Sequence, residues 1–161
     1  KDEKPELELP EYANMADDVR EAVDIAHRDG SLKTAVKANL DHYIIKDEEI
    51  VQALERLKKY GKKLWIITNS DYNYTKALLN YTINPFLKEH KDWKELFEMT
   101  VTLAAKPKFF TDSGHYLKVD PETSLMENYD KPLVPGVYQG GHADKIQEDF
   151  NLKGDEIHPL D

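Results

Sequence analysis

The stretch Gly61-Lys62-Lys63-Leu64-Trp65-Ile66-Ile67-Thr68-Asn69-Ser70-Asp71-Tyr72-Asn73-Tyr74-Thr75 decides how the chain is read. Four apolar residues, Leu64 to Ile67, follow a glycine stop and two lysines, and they give way at once to four small polar residues. A run of that length bounded by turn residues reads as a short, fully buried strand. The Thr-Asn-Ser-Asp that closes it leads into a helical pattern over 74–79, so hydroxyls, an amide and a helix N-terminus gather at the strand's carboxyl end. In open α/β sheets ligands bind at that edge, and a helix N-terminus there suits an anion. On residue type alone, capping the next helix is the simpler role for Asn69, Ser70 and Asp71.

Upstream of this stretch the chain is helical. Asp47 is placed to cap a helix with Glu48 and Glu49 in its first turn, where the dipole favours them. Ile50, Leu54 and Leu57 would make its buried stripe, and Gly61 ends it just before the strand, which is the helix-to-strand crossover of a parallel sheet. Before it, Ser31 is expected to cap a helix running to about residue 43, with Leu32, Val36, Leu40 and Tyr43 facing inward and His42 on the surface. Over 11–29, Met15, Val19, Ala22, Val23 and Ala26 follow a helical period, and Gly30 stands where that helix would stop. Arg20, Asp24 and His27 lie on the same helix at i, i+4 and i+7 and form one polar stripe. Taken alone, that stripe reads as a solvated face whose Arg–Asp pair is worth a few tenths of a kcal/mol. Residues 1–12 are charged and proline-bracketed and read as a linker, leaving 13–161 as one α/β core.

Downstream, a helix is expected over 74–82, interrupted by Pro85. Trp93, Leu96 and Phe97 read as core packing on a short helix or an aromatic-bearing loop. Residues 100–105 form a second strand, which runs into Lys106-Pro107-Lys108-Phe109-Phe110. Residues 110–139 read as a β-hairpin insertion, with strands at 115–119 and 132–138 around the turn Asp120-Pro121-Glu122-Thr123. Gly140-Gly141 then precedes a helix over 142–150; a tight turn is the simpler reason for such a pair than a phosphate cradle.

The totals narrow the class. The 161 residues suffice for one domain with a real core. The balance of 22 basic against 31 acidic residues, a net charge of -9, argues against a general nucleic-acid or anionic-membrane surface, so an anion site must be a local cluster of cations. The chain has no cysteine, which rules out disulfides and thiolate metal sites. No apolar run approaches the ~20 residues of a membrane helix, and the first residues are unlike a signal peptide, so a soluble, cytoplasmic protein is expected.

Four segments together resemble a known family. The strand ending in Thr68 and continuing Asn-Ser-Asp-Tyr-x-Tyr-Thr resembles the second motif of the haloacid dehalogenase (HAD) superfamily, in the form used by cytosolic purine 5'-nucleotidases of the IMP/GMP-specific type. Asp18-Val19-Arg20-x-Ala22-Val23-Asp24-x-x-His27-x-x-Gly30-Ser31-Leu32-Lys33 resembles the segment that supplies substrate contacts there. The second strand with Lys106-Pro-x-Phe-Phe resembles the third motif, and Tyr138-x-Gly-Gly before a helix is also shared. The resemblance implies an α/β, HAD-like (Rossmann-like) parallel sheet flanked by helices. It implies a phosphohydrolase that removes the 5'-phosphate from purine nucleoside monophosphates through an aspartyl-phosphate. Thr68 and Lys106 would be catalytic; Asn69 and Ser70 would position phosphate or ribose; Arg20, Asp24, His27 and Lys33 would meet the nucleotide. Mg2+ and a tendency to form homo-oligomers are implied as well. No two aspartates here are spaced i, i+2, so the Asp-x-Asp nucleophile and the metal ligands are expected outside this chain. A non-catalytic nucleotide-binding module is the rival, and a nucleoside phosphotransferase would use the same site.

Overall fold

The computed structural model describes residues 11–153, and the chain divides after Tyr43 into a helical unit and an α/β unit. In the helical unit, α1 spans Tyr12–Arg28, α2 Ser31–Ala38 and α3 Leu40–Tyr43. The expected single helix from Ser31 to Tyr43 breaks at Asn39, which adopts φ -148°, ψ 67°. Ser31 does not cap α2; it is the first helical residue, and its N–H donates to the Asp29 carboxylate at 2.8 Å. That bond holds the Asp29 carboxyl below its usual range. Of the four residues expected to face inward, Val36 is buried and Leu40 half-buried, while Leu32 and Tyr43 are exposed.

The α/β unit begins with α4, Glu48–Lys59. Asp47 caps it as expected, accepting from the N–H groups of Glu49 and Ile50 at 2.9 and 3.2 Å. At the other end Gly61 takes φ +82°, and two bonds close the helix: Gly61 N–H to Lys58 O and Lys62 N–H to Leu57 O. This is the double-bonded C-terminal motif that needs a left-handed residue, a conformation glycine adopts without the Cβ penalty. The chain thereby reverses into β1, Trp65–Ile67.

Five strands form one sheet in the order β1-β2-β5-β3-β4. β2 is Met99–Thr102, β3 Tyr116–Val119, β4 Met126–Tyr129 and β5 Gly136–Gly140. β1, β2 and β5 run parallel, with Trp65 opposite Met99 and Met99 opposite Gly136; β3 is antiparallel to β5, and β4 to β3. The α/β class and a largely parallel, helix-flanked, Rossmann-like sheet are therefore as expected. The hairpin differs from the expectation. Its second strand is β4, and residues 136–140 form a parallel core strand instead. β4 carries Glu127 and Asn128 and is almost wholly exposed, so it lacks the apolar alternation that marks a strand in sequence. β1 is also less buried than expected: all three of its residues are half-buried, whereas every residue of β2 is buried.

Successive strand residues point to opposite faces, and two cores result. One face gathers Val137 and Ile66 with Val51 of α4, Tyr72 of α5 (Tyr72–Thr82) and Trp93 and Leu96 of α6 (Trp93–Leu96). The other gathers Met99, Val101 and Tyr138 with Tyr116, Phe109 and Ile146 of α7 (Ala143–Asp149). On α4 the buried residue is Val51, one position on from Ile50, which is exposed.

The same face of α4 buries a carboxylate. Glu55 is 5% exposed and accepts from the N–H groups of Lys88 and Glu89 and from His90 Nδ1, the last two at 2.9 Å. Burial pushes this carboxyl up, but the bonds from His90 and the two backbone donors outweigh it and hold it below its ordinary value. Because the folded-state value is the depressed one, the stabilisation is present above about pH 4.5 and lost as pH falls through the folded value. We expect Glu55→Ala to strand these donors and cost about 2–4 kcal/mol in urea denaturation at pH 7. The difference from the wild type should shrink as pH falls below about 4.5 and through the folded-state value, and a pH-independent difference would show that the carboxylate charge is not what holds residues 88–90.

Candidate active site at the carboxyl edge of the sheet

Because β1, β2 and β5 are parallel, their carboxyl ends open on one edge. β1 delivers Thr68, Asn69 and Ser70 there, and β2 delivers the loop 103–106. The two segments are laced together. Thr68 N–H donates to Val101 O at 2.9 Å, Ala104 N–H to Thr68 O at 3.0 Å and Leu103 N–H to Ser70 O at 2.9 Å. β2 ends earlier than the sequence implies, at Thr102, because Leu103 (φ +44°) and Ala105 (φ +57°) turn left-handed. Two non-glycine residues in that region cost on the order of 1 kcal/mol each, so the surrounding bonds must impose the loop's shape.

Lys106 is the cation of this edge. Its ammonium donates to Ile67 O, the last carbonyl of β1, at 2.8 Å, which sets the charge beside Thr68. An ammonium has three protons, and this bond uses one. The Thr68 hydroxyl accepts from Ser70 N–H at 3.1 Å, so its own proton is left to donate outward. Asn69 turns its side chain to the other segment: Lys106 N–H donates to its Oδ1 at 2.6 Å, and its Nδ2 donates to Lys106 O at 3.0 Å. Of the three residues with capping chemistry, Asp71 is the cap of α5, accepting from Tyr74 N–H at 2.8 Å.

The structure thus brings together Thr68, Asn69, Ser70 and Lys106. The remaining residues named from sequence stand in the helical unit. Arg20, Asp24 and His27 all project from α1 and are exposed, and Lys33 is half-buried in the first turn of α2. Arg20 pairs with Asp17 at 3.0 Å instead of with Asp24. His27 Nδ1 lies 2.8 Å from Val23 O, so in the tautomer that donates there its Nε2 faces outward as an acceptor. The carbonyl of Ile67 and the amide bracket of Asn69 were not foreseeable, since a carbonyl has no sequence signature and a strand-end asparagine reads as a ligand or a cap.

Gly140 ends β5 and Gly141 follows it at the same edge. Their reason is steric: Gly141 N–H already donates to His115 O at 2.9 Å, and a Cβ on Gly141 would lie 2.1–2.4 Å from ring atoms of Tyr116. Among the described residues no group of three His, Cys, Asp or Glu side chains could hold a metal ion. The Mg2+ implied by the resemblance therefore finds no cage in these residues.

A family model described as the 5' nucleotidase family matches residues 1–158. The chain belongs to the 5'-nucleotidase family. Among its relatives is the human "5'-nucleotidase domain-containing protein 2", 29% identical over 134 residues, which make up 82% of this chain and 25% of that protein. The rat protein of the same name is also 29% identical, over 82% of this chain and 23% of its own length. This 5'-nucleotidase-family chain thus spans about a quarter of the length of these curated relatives. No helix among the described residues is long and apolar enough to cross a membrane.

Proposed function

We propose that the complete polypeptide is a phosphohydrolase that removes the 5'-phosphate from purine nucleoside monophosphates such as IMP and GMP, and that Thr68 and Lys106 serve its phosphate site. The observation that carries this reading is the Lys106 ammonium bonded to Ile67 O, the carbonyl just before Thr68, at the carboxyl edge of a parallel sheet in a chain of net charge -9. An aspartate supplied by another part of the polypeptide attacks phosphorus, the bond to the nucleoside O5' breaks, and water then hydrolyses the acyl phosphate. The open edge of β1, paired among the described residues only with β2, leaves room for a strand to bring that aspartate alongside Thr68.

In this scheme the Thr68 hydroxyl donates to a phosphoryl oxygen and the two remaining Lys106 protons meet the charge that grows on the phosphoryl group. Ser70 adds a further hydroxyl for the phosphate or ribose, and the backbone N–H of Asn69 beside it adds a donor. Arg20, Asp24, His27 and Lys33 read the nucleotide, the arginine and aspartate offering complementary donors and acceptors to a polar base edge. Mg2+, if the complete enzyme uses it, would be bound by residues outside those described here. A cytoplasmic location fits the cysteine-free sequence.

The test is release of inorganic phosphate by the complete polypeptide from IMP and GMP against CMP and UMP. Faster release from the purine nucleotides is expected, and Asp24→Ala should narrow that preference mainly by raising KM for IMP. Tight nucleotide binding without phosphate release would replace the enzyme with a binding module. Equal rates on all four nucleotides would remove the purine assignment.

A further inference from the structure

We propose that Asn69 is a positioning residue that acts through Lys106, and that its side chain does not bind the substrate. The inference rests on the phosphohydrolase reading of Lys106 given above.

The bracket is specific in chemistry. A planar primary amide offers one acceptor and one donor side by side, and Lys106 presents its own backbone N–H and C=O to them at 2.6 and 3.0 Å. Only one orientation of the amide satisfies both bonds, so the placement of oxygen and nitrogen follows from the partners. The pair imitates a sheet ladder. Backbone pairing of β1 with β2 runs through Ile67 and Val101, and the chain beyond Thr102 then turns away through the left-handed Leu103 and Ala105. Beyond that point the seam continues through irregular backbone bonds, Ala104 N–H to Thr68 O and Leu103 N–H to Ser70 O, and the Asn69 side chain extends it to Lys106.

The consequence concerns the ammonium. Lys106 is exposed, and a long exposed side chain ordinarily samples many rotamers. Here its backbone is held by Asn69 and its Nζ by Ile67 O at 2.8 Å, so both ends of the side chain are tied to the end of β1. The two anchors come from residues 67 and 69, on either side of Thr68. The charge is thereby placed in advance of substrate binding, which is the condition for transition-state stabilisation without reorganisation. A substrate ligand would offer its amide outward; this one has turned its acceptor and a donor to the neighbouring loop.

The test is a double-mutant cycle on phosphate release from IMP by the complete polypeptide. Asn69→Ala should lower kcat about 10- to 100-fold, as loss of a residue that orients a catalytic group does, with KM changed less than about threefold. In the Lys106→Ala background the same change should cost less than about twofold, because the group it orients is gone. Asn69→Asp keeps an acceptor for Lys106 N–H and should recover part of kcat. The Lys106 amide should exchange its proton faster in Asn69→Ala while the thermal midpoint stays within a few degrees of the wild type. The role is overturned if Asn69→Ala raises KM alone, if its effect is undiminished in the Lys106→Ala background, or if Lys106 amide exchange is unchanged; each leaves the phosphohydrolase reading standing. A wild-type polypeptide that releases no phosphate overturns that reading and the Asn69 role with it.

Discussion

Lys106→Ala in the complete polypeptide is expected to lower kcat for IMP by about 100- to 1000-fold, the loss typical of removing one donor aimed at developing charge. Folding should hardly register the change. Lys106 is exposed, and its side chain contributes one hydrogen bond, to Ile67 O; exposed bonds of this kind are worth about 1 kcal/mol or less. The separation of the two effects is the informative part. A lysine that merely closes the loop would shift the unfolding midpoint and leave turnover alone. Lys106→Arg should restore little, because a planar guanidinium cannot reproduce a point charge anchored at a single carbonyl.

Gly141→Ala carries the largest expected cost to stability. A Cβ at this position would sit 2.1 Å from Cζ of Tyr116 and 2.2–2.4 Å from two further ring carbons, well inside any contact distance. The ring cannot retreat easily. Tyr116 is 2% exposed, packs edge-on against Tyr138 with centroids 5.9 Å apart, and donates its hydroxyl proton to His142 O at 2.7 Å. Burial pushes the Tyr116 hydroxyl well above the usual tyrosine range, in keeping with a phenol that stays neutral in the core. The backbone adds a second penalty, since Gly141 has φ +81°. Overpacking together with a left-handed alanine should cost about 3–5 kcal/mol in urea denaturation. A loss below about 1 kcal/mol would show that β3 and the 140–141 turn are free to separate.

These two residues illustrate what was visible before the structure. The apolar run at 64–67, the Asp47 cap and the Gly61 stop are local features, each with its own mechanism, and they stood where they were expected. Lys106 was visible only through resemblance, because a lysine after a strand is ordinarily a surface charge. Gly141 reads from sequence as a turn glycine; its φ of +81° does need glycine, but the ring that excludes a Cβ comes from β3, some 25 residues earlier in the chain. What escaped the sequence is tertiary in origin. Val51 is buried in place of Ile50 because packing against the sheet sets the rotation of α4, and an amphipathic pattern fixes that rotation only to within a residue. The expected antiparallel pairing of the strand at 115–119 with the one ending near 138 is present between β3 and β5, but β4 lies between them in the chain, and β5 also pairs parallel with β2 in the same sheet. Asn69 shows the same limit at the site, since its bracket depends on the left-handed turn at Leu103 and Ala105, residues whose side chains give no sign of it.

On the proposed function, the nucleotide's phosphate is held at the carboxyl end of β1 by Thr68, Ser70 and Lys106. The measurement that tests it most directly is a backbone-amide NMR titration of the complete polypeptide with IMP. The largest shifts should fall on Thr68, Asn69, Ser70 and Lys106, with inosine alone leaving those four amides largely unmoved. Saturable shifts confined to other residues, with the four amides unmoved by IMP, would contradict the claim.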